Sequence, residues 1–475
     1  MSNFPFGFNP GPQDNDNPGD NPGDNPGDNP ASSHGPSPTD PLAALLGGGG
    51  DIGAAFQRLG QLLSWQGGPV NWDLARDVAR QVVAAAGDRS VTTSDREPVL
   101  DAMRLAELWL DEASAFPSGV AGAVAWSRAE WVEATLPAWQ ELVDPLAAKV
   151  VDSMGTMLGG EDGPMTRLGL PPEQLEALSA MAALTGPMQQ MMRGVGGAMF
   201  GSQIGQAIGS LAVDVVGSTD VGLPLSPDGR AALLPANVAA FGAGLEVPID
   251  QVRLYLALRE GAHHRLYASV PWLRGHLMEA VASYARGIHV DPARLEEAMG
   301  SIDPSDPESM QRALTGGMFE PEDTPEQQAA LARLETALAL VEGWVDEVVD
   351  AAASPHLPSA PALRETVRRR RASGGPGEQT FASLVGLELR PRRLRDAATL
   401  WRTVLRERGQ AGREAVWAHP DLLPTATDLD DPQVFATQAG DASVLDLSSL
   451  DETVAPPEPP APPTPPGAVP PDGDR

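Results

Sequence analysis

The residue types best suited to chemistry lie together in the segment Arg259-Glu260-Gly261-Ala262-His263-His264. The segment matches the pattern His-Glu-x-x-His, except that an arginine stands in place of the first histidine. In an intact pattern, two histidines four residues apart bind Zn²⁺, and the glutamate acts as general base on the metal-bound water. The sequence therefore predicts either a hydrolytic zinc site that has been rebuilt or a zinc-site fold that has lost its chemistry.

Each motif residue has a chemical role and a structural alternative. Glu260 is the candidate general base, or else it pairs with Arg259 or His264 on a helix surface. His263 is a candidate metal ligand, or else a hydrogen-bonded structural histidine. His264 is one residue away from the motif position, so we interpret it as a neighbour of the site.

Arg259 is the main obstacle to a bound zinc ion. A guanidinium about 5 Å from Zn²⁺ would be repelled by roughly 6–7 kcal/mol at an effective dielectric constant of about 20. A metal would require Arg259 to turn away or to be neutralised by carboxylates, for which Glu279 is a candidate. Alternatively, Arg259 replaces the metal as a fixed positive charge. We then expect it to hydrogen-bond Glu260, Glu279 or another carboxylate.

Apolar residues at three- and four-residue spacings predict a helix from Ile249 to Val270, and Pro271 begins a second helix after a sharp corner. His276 follows the corner at about the distance by which His263 precedes it, which would let the two histidines face each other. His276 is therefore a candidate for a further metal ligand. Tyr267 and Tyr255 lie on the motif helix and are candidates to stabilise an oxyanion.

Composition limits the class of protein. The formal charge is −31, and the absence of cysteine excludes disulfides, thiol catalysis and cysteine zinc sites. Such an acidic chain argues against nucleic acid as the main partner. The first residues lack the basic and apolar regions of a signal peptide, so we expect a cytoplasmic protein. Residues 194–213 are uncharged but rich in glycine and polar residues, so we predict no membrane span.

Sequence patterns divide the chain into four regions. We expect residues 1–50, rich in Pro, Gly and Asp, to be a disordered arm, and residues 436–475 to be an acidic, proline-rich disordered tail. Residues 51–165 form a predicted helical region, and residues 166–435 form the core that contains the motif helix. The fold class is therefore mainly α with a small β element.

Local signals place individual elements. Asn71 is a predicted helix cap, and Ser94 with Glu97 and Ser127 with Glu130 have the spacing of capping boxes. Further helices are predicted at about 172–185, 291–300, 325–351, 360–371 and 391–409. Residues 231–245 are predicted to form short strands or a hairpin. Glycines repeat every four residues from Gly197 to Gly209, which predicts a flat helix face for close packing.

The segment from Arg364 to Arg413 contains thirteen arginines and five acids. Alone, it would suggest an anionic ligand or partner. In so acidic a chain, pairing with internal carboxylates is the competing interpretation.

Four further segments carry a family resemblance: Gly67-Gly68-Pro69-Val70-Asn71-Trp72, Val270-Pro271-Trp272-Leu273-Arg274, Val385-Gly386-Leu387-Glu388-Leu389-Arg390-Pro391-Arg392 and His419-Pro420-Asp421-Leu422-Leu423-Pro424. With the motif, they resemble the zincin-like metallopeptidase type 2 family, in the hydrolase branch that is sister to a branch associated with coenzyme F420 biosynthesis. The resemblance covers about residues 55–435.

The resemblance implies a mostly helical zincin-like domain with a small sheet beside the motif helix. It implies that Glu260 matches the general base, that His263 matches the second histidine ligand, and that His276 matches a histidine that follows Pro-Trp-Leu-Arg in related sequences. The implied activity is that of a zinc-dependent hydrolase, a metallopeptidase, acting on a peptide or protein. The alternative is a catalytically inactive zincin-like scaffold that binds a peptide or protein partner.

Overall fold

The computed structural model describes residues 67–159, 194, 196–226, 229–286, 324–372 and 393–438. The predicted helices at 172–185 and 291–300 lie outside the described residues, as do the arm at 1–50 and nearly all of the tail. All described residues belong to one compact unit, Leu62–Arg475.

Helices dominate the described residues, and two short strands accompany them, which confirms the mainly α fold class. In chain order the elements are α1 (Trp72–Ala85), α2 (Thr93–Ala113), β1 (Gly122–Ala125), α3 (Arg128–Gly159), α4 (196–214), β2 (Arg230–Leu233), α5 (Pro235–Gly242), α6 (Ile249–Ser269), α7 (Pro271–Arg286), α8 (Pro325–Ala353), α9 (Ala360–Ala372), α10 (Leu394–Ala415), α11 (Ala426–Asp430) and α12 (Pro432–Gln438). Two short 3-10 turns, Val416–Ala418 and Pro420–Leu422, follow α10.

Two of the three predicted helix caps are confirmed. The Asn71 side chain accepts a hydrogen bond from the amide of Leu74 at 3.1 Å, and Ser127 and Glu130 form a reciprocal capping box before α3. The prediction for Ser94 and Glu97 is wrong. The cap of α2 is Thr92, because the carboxylate of Asp95 reaches back to the Thr92 amide at 3.0 Å and fixes the helix start two residues earlier.

The site-bearing helices pack around α8. Helix α8 contacts α2, α6, α7, α9 and α10, so its residues from Ala337 to Val349 are all buried. The corner at Pro271 forms as predicted, since α6 ends at Ser269 and α7 begins at Pro271. The motif helix α6 is thereby enclosed by α2, α7 and α8.

The sheet is a two-stranded parallel pair beside α6. Gly122 pairs with Arg230, and the register continues to Ala125 with Leu233. The prediction of strands or a hairpin across 231–245 is correct only at its beginning. Residues from Pro235 to Gly242 form a helix instead, because Pro235 occupies the first helical position, where its fixed φ and missing N–H are tolerated.

The glycine repeat lies on α4 and packs against α1. A Cβ atom at Gly201 or Gly205 would collide with the backbone carbonyl oxygen of Asn71 or Ala75. The close packing inferred from the repeat is confirmed. Within the described part of the chain, no helix combines the length and the apolar character needed to cross a membrane.

Replacing Gly205 with alanine should therefore destabilise the fold. The new methyl group would lie 2.8 Å from Val78 Cβ and closer still to the Ala75 carbonyl, and overpacking of this kind costs about 1–3 kcal/mol. Gly196→Ala is the matched control, since a Cβ added at that position would have no heavy atom within 4 Å and alanine favours a helix. Chemical denaturation of both variants measures the difference, and equal stabilities would contradict the packing.

Candidate functional site

The polar motif residues of α6 lie inside the protein. Arg259, Glu260, His263 and His264 are each exposed by 6% or less. Burial of this many ionisable groups is costly unless each one has a partner. Their partners therefore define the chemistry of the site.

Glu260 is bound in a nest of hydrogen-bond donors. Backbone amides of Ser218, Thr219 and Ala232 each donate to its carboxylate at 3.2 Å. The Thr219 hydroxyl donates at 2.6 Å, the Ser218 hydroxyl also donates, and His264 Nε2 lies 3.3 Å away. A Cβ at Gly217 would come within 2.6 Å of the same carboxylate. Both oxygens of Glu260 are thus occupied by the loop before β2, by β2 and by its own helix.

These donors change the acidity of Glu260. Burial acts to raise its pKa, but the hydrogen bonds and charge from His264 and the hydrogen bonds from Ser218 and Thr219 outweigh burial and lower the pKa to about 2. An efficient general base has a pKa near the working pH. The nest therefore makes Glu260 a stable anion and a weak base.

Arg259 forms a buried ion pair with a glutamate far away in the sequence. Its Nη2 atom lies 2.6 Å from Glu342 Oε2 on α8, and both side chains are almost fully buried. Arg259 thus hydrogen-bonds a carboxylate, as expected, and that carboxylate belongs to Glu342. The named candidates Glu260 and Glu279 are not its partners in the described hydrogen bonds.

His263 reaches the same carboxylate from one helical turn later. Its Nε2 atom lies 3.0 Å from Glu342 Oε1, and its Nδ1 atom lies 2.8 Å from the carbonyl oxygen of Arg259. A backbone carbonyl and an ionised carboxylate only accept hydrogen bonds. Both ring nitrogens of His263 are therefore engaged in this arrangement, and Nε2 is directed at the Glu342 carboxylate.

Arg371 on α9 adds a second guanidinium group to Glu342. Its Nη2 atom lies 2.9 Å from Glu342 Oε1 and donates to the carbonyl oxygen of Asp220 at 2.8 Å. Burial acts to raise the pKa of Glu342, but the charges of Arg371, His263 and Arg259 hold it well below its ordinary value. We call these four side chains, Arg259, His263, Glu342 and Arg371, the ion-pair cluster.

The other described arginines of the arginine-rich segment also find internal partners. Arg364 and Arg368 each bond Asp346 at 2.6 Å, and Arg370 lies 3.0 Å from Asp220. These arginines therefore pair with internal carboxylates. This was one of the two interpretations of the arginine-rich segment. An external anion would have to compete with these carboxylates.

The tyrosine candidates have different surroundings. The Tyr267 hydroxyl donates to the carbonyl oxygen of Gly222 at 2.6 Å, and its ring stacks on His263 with 6.3 Å between centroids. Burial and the charge of Glu342 raise the pKa of Tyr267 well above its ordinary value. The hydroxyl of Tyr255 is buried without a hydrogen-bond partner among the described residues. The Tyr267 hydroxyl therefore stays protonated and donates its hydrogen bond to a backbone carbonyl in this arrangement.

His276 and Glu279 do not join the cluster. His276 is half-buried on α7, and its ring meets the edge of Trp272 with 5.7 Å between centroids. Burial and the charge of Arg333 lower its pKa. Glu279 is exposed on the same helix. The corner at Pro271 forms, but the described ring contact of His276 is with Trp272 of its own helix, whereas His263 contacts Arg259 and Glu342.

The donor set does not fit a zinc ion. A zinc site takes at least three His, Cys, Asp or Glu ligands, and no such group occurs among the residues that the structure describes. At the motif, two guanidinium groups and the ring of His263 already surround Glu342. Bringing Zn²⁺ there would require both arginines to leave a buried carboxylate.

A small cleft lies at the motif. Its lining residues include Arg259, Glu260 and His263 of α6, Gly217 and Thr219 of the loop before β2, and Val367 and Arg370 of α9. Glu260 and His263 thus line the same cleft. The cleft has room for only about one water molecule, so α9 leaves no space for a peptide.

Sequence reasoning missed Glu342, Arg371 and the Ser218-Thr219 loop. Glu342 carried a usable signal, because it lies in an apolar run, Ala-Leu-Ala-Leu-Val-Glu-Gly-Trp-Val, on a helix that is buried on every side. A carboxylate in such a run requires a cationic partner. The Ser218-Thr219 loop offers no comparable signal, since hydroxyl residues beside glycine are common in loops.

Comparison with known proteins places this arrangement in context. The chain matches the family model described as zincin-like metallopeptidase over residues 70–436. It is similar to the crystal structure of a provisionally assigned hydrolase with a novel fold from Chloroflexus aurantiacus, with a TM-score of 0.54 and 19% sequence identity, covering 78% of this chain and 99% of that chain. At this identity the likeness concerns the fold. No curated protein matches the chain.

Proposed function

We propose that this chain, which belongs to the zincin-like metallopeptidase family, is a non-hydrolytic member that binds a peptide or protein partner. The observation that carries the proposal is the buried contact of 2.6 Å between Arg259 and Glu342. It places a permanent cation at the first-ligand position of the motif. The site then stabilises the fold in place of activating water.

The state of Glu260 supports the same conclusion. A general base must reach the proton that it removes and must hold that proton at the working pH. Glu260 accepts its hydrogen bonds from the loop before β2, from β2 and from its own helix, and these bonds lower its pKa to about 2. Releasing it would remove an acceptor from the backbone amides of Ser218, Thr219 and Ala232 and from two hydroxyl groups, and unpaired buried donors are costly.

A metallopeptidase must bind a polypeptide before it cleaves it, and the binding step does not require the metal. A member that has lost cleavage can therefore keep binding. In the described arrangement α9 fills the motif cleft, so we place the partner's contacts outside that cleft. Binding of peptides on an array should therefore be independent of added zinc. A zinc requirement for binding would contradict this part of the proposal.

The second candidate is a zinc-dependent hydrolase with Glu260 as base, His263 as ligand and Tyr267 as oxyanion stabiliser. It is favoured by the retention of both motif residues in one cleft. His276 would remain a proposed ligand only if α7 were rearranged. The two candidates differ in their need for metal.

Metal content and cleavage distinguish the two candidates. For protein purified without a chelator, we expect only substoichiometric zinc by elemental analysis, unchanged in a His263→Ala variant. Mass spectrometry of a mixed peptide library incubated with the protein and Zn²⁺ should find no new termini. Stoichiometric zinc that is lost with His263→Ala, together with cleavage that is lost with Glu260→Gln, would establish the hydrolase.

A further inference from the structure

The ion-pair cluster has the layout of a three-ligand metal site in which cations have replaced the metal. Arg259 and His263 are one turn apart on α6, and both reach the carboxylate of Glu342, at 2.6 Å and 3.0 Å. Two histidines at such positions with one glutamate from another helix form a known catalytic zinc set. Glu342 thus lies where a third ligand is needed, although it is 83 residues from Arg259.

We infer that Glu342 holds the third-ligand position of a latent divalent-cation site, and that the guanidinium groups of Arg259 and Arg371 supply the charge that the cation would supply. This inference rests on the proposed non-hydrolytic function and extends it, because it identifies the divalent cation as the group that Arg259 and Arg371 replace. It also removes His276 from the ligand set. Neither Glu342 nor Arg371 belongs to the sequence motif.

The orientation of His263 agrees with this inference. Its Nδ1 atom is 2.8 Å from the Arg259 carbonyl oxygen, so its Nε2 atom faces Glu342. Metal-binding histidines commonly donate their other ring N–H to a carbonyl or carboxylate in this way, which fixes the ring. The hydrogen bond that would orient His263 as a ligand is therefore present without the metal.

The surroundings of Glu342 are shaped to bring cations close. Gly222 has a φ of +81°, and a Cβ there would lie 3.0 Å from Glu342 Oε1 and 3.8 Å from an Arg371 guanidinium nitrogen. Tyr267 fixes the same turn by donating to the Gly222 carbonyl. Glu342 is 1% exposed, and two guanidinium groups and the His263 ring surround its carboxylate. Positive charge thus lies beside Glu342 where a metal-binding site would hold its cation.

The experiment rebuilds the site and tests its ligands one at a time. The background variant is Arg259→His with Arg371→Gln, which supplies the missing histidine and frees Glu342 from both guanidinium groups. Co²⁺ alone is the probe, because its visible ligand-field bands report coordination without any assay of activity. We expect this variant to bind one equivalent of Co²⁺, with competition by Zn²⁺.

Two additional substitutions decide the ligand set. In that background, Glu342→Gln should weaken Co²⁺ binding by more than about 100-fold, since even the loss of a group that only orients a ligand costs about 10–100-fold. His276→Ala should leave binding unchanged, because His276 lies against Trp272. Unchanged binding with Glu342→Gln, loss of binding with His276→Ala, or no binding by the background variant would each overturn the inference.

The same experiment remains decisive if the background variant is unfolded without metal. Far-ultraviolet circular dichroism then replaces the visible spectrum, and Co²⁺ should restore helix unless Glu342→Gln is present. Hydrolysis by the parent protein would refute the proposed function but leave this ligand assignment intact. Failure of the Glu342 test would refute the assignment and leave the non-hydrolytic proposal standing.

Discussion

Replacing Glu342 with glutamine should lower the free energy of unfolding by about 3–5 kcal/mol. The substitution leaves Arg259, His263 and Arg371 without their shared anion in a buried site. Removing one partner of a buried ion pair is costly because the remaining charge stays desolvated and unpaired. Urea denaturation at neutral pH measures the change.

Glu365→Gln provides the matched control for this prediction. Glu365 also pairs with an arginine, Arg369, at 2.9 Å, but the two side chains are 39% and 78% exposed. Exposed pairs on a helix contribute little to stability, because water screens both charges. Similar losses in the two variants would show that the ion-pair cluster is not a special stabilising feature. Coupling between Arg259 and Glu342 in a double-mutant cycle would assign the loss to their contact.

Replacing Glu260 with glutamine should both destabilise the protein at neutral pH and remove part of its acid sensitivity. The pKa of Glu260 is lowered from its ordinary 4.5 to about 2. A depressed folded-state pKa stabilises the fold above the unfolded value, and this stabilisation is lost as the pH falls through the folded value. The lowered pKa of Glu260 corresponds to about 3 kcal/mol of folding stability. This stability should be lost as the pH falls from about 4.5 to about 2.

The glutamine variant lacks the charge in both states, so it cannot show this pH dependence. Its NH₂ group would also face the donors of either Ser218 or Thr219, since these two residues bond different oxygens of Glu260, and donors placed against donors lose their hydrogen bonds. Urea denaturation at stepwise lower pH measures both effects. The parent and variant curves should converge as the pH falls. Parallel curves for parent and variant would contradict the role assigned to the nest.

Much of the fold could be predicted because local signals suffice for it. Apolar spacing located α6, α8 and α9, and Pro271 marked the corner between α6 and α7. The glycine repeat correctly indicated close packing of α4. The strand prediction after Arg230 failed beyond Leu233, because short apolar runs are ambiguous and the position of Pro235 decided in favour of a helix.

The site was harder to predict because its partners are distant in sequence. The motif revealed Arg259, Glu260 and His263, but it could not show which carboxylate Arg259 meets. Placing His276 opposite His263 relied on equal spacing from a corner, and spacing does not fix how two helices rotate about their axes. In the described contacts the ring of His276 meets Trp272 of its own helix, whereas His263 meets Glu342. Tertiary packing, which local patterns do not encode, determines the ligand geometry.

The most direct test of the non-hydrolytic proposal is a crystal structure of the parent protein grown with zinc, with anomalous data recorded at the zinc absorption edge. We predict no anomalous peak between His263 and Glu342, and continuous density for the Arg259 guanidinium on the Glu342 carboxylate, as in the 2.6 Å contact described above. A zinc peak at about 2.0–2.1 Å from His263 Nε2, with Arg259 turned away from Glu342, would contradict the proposal.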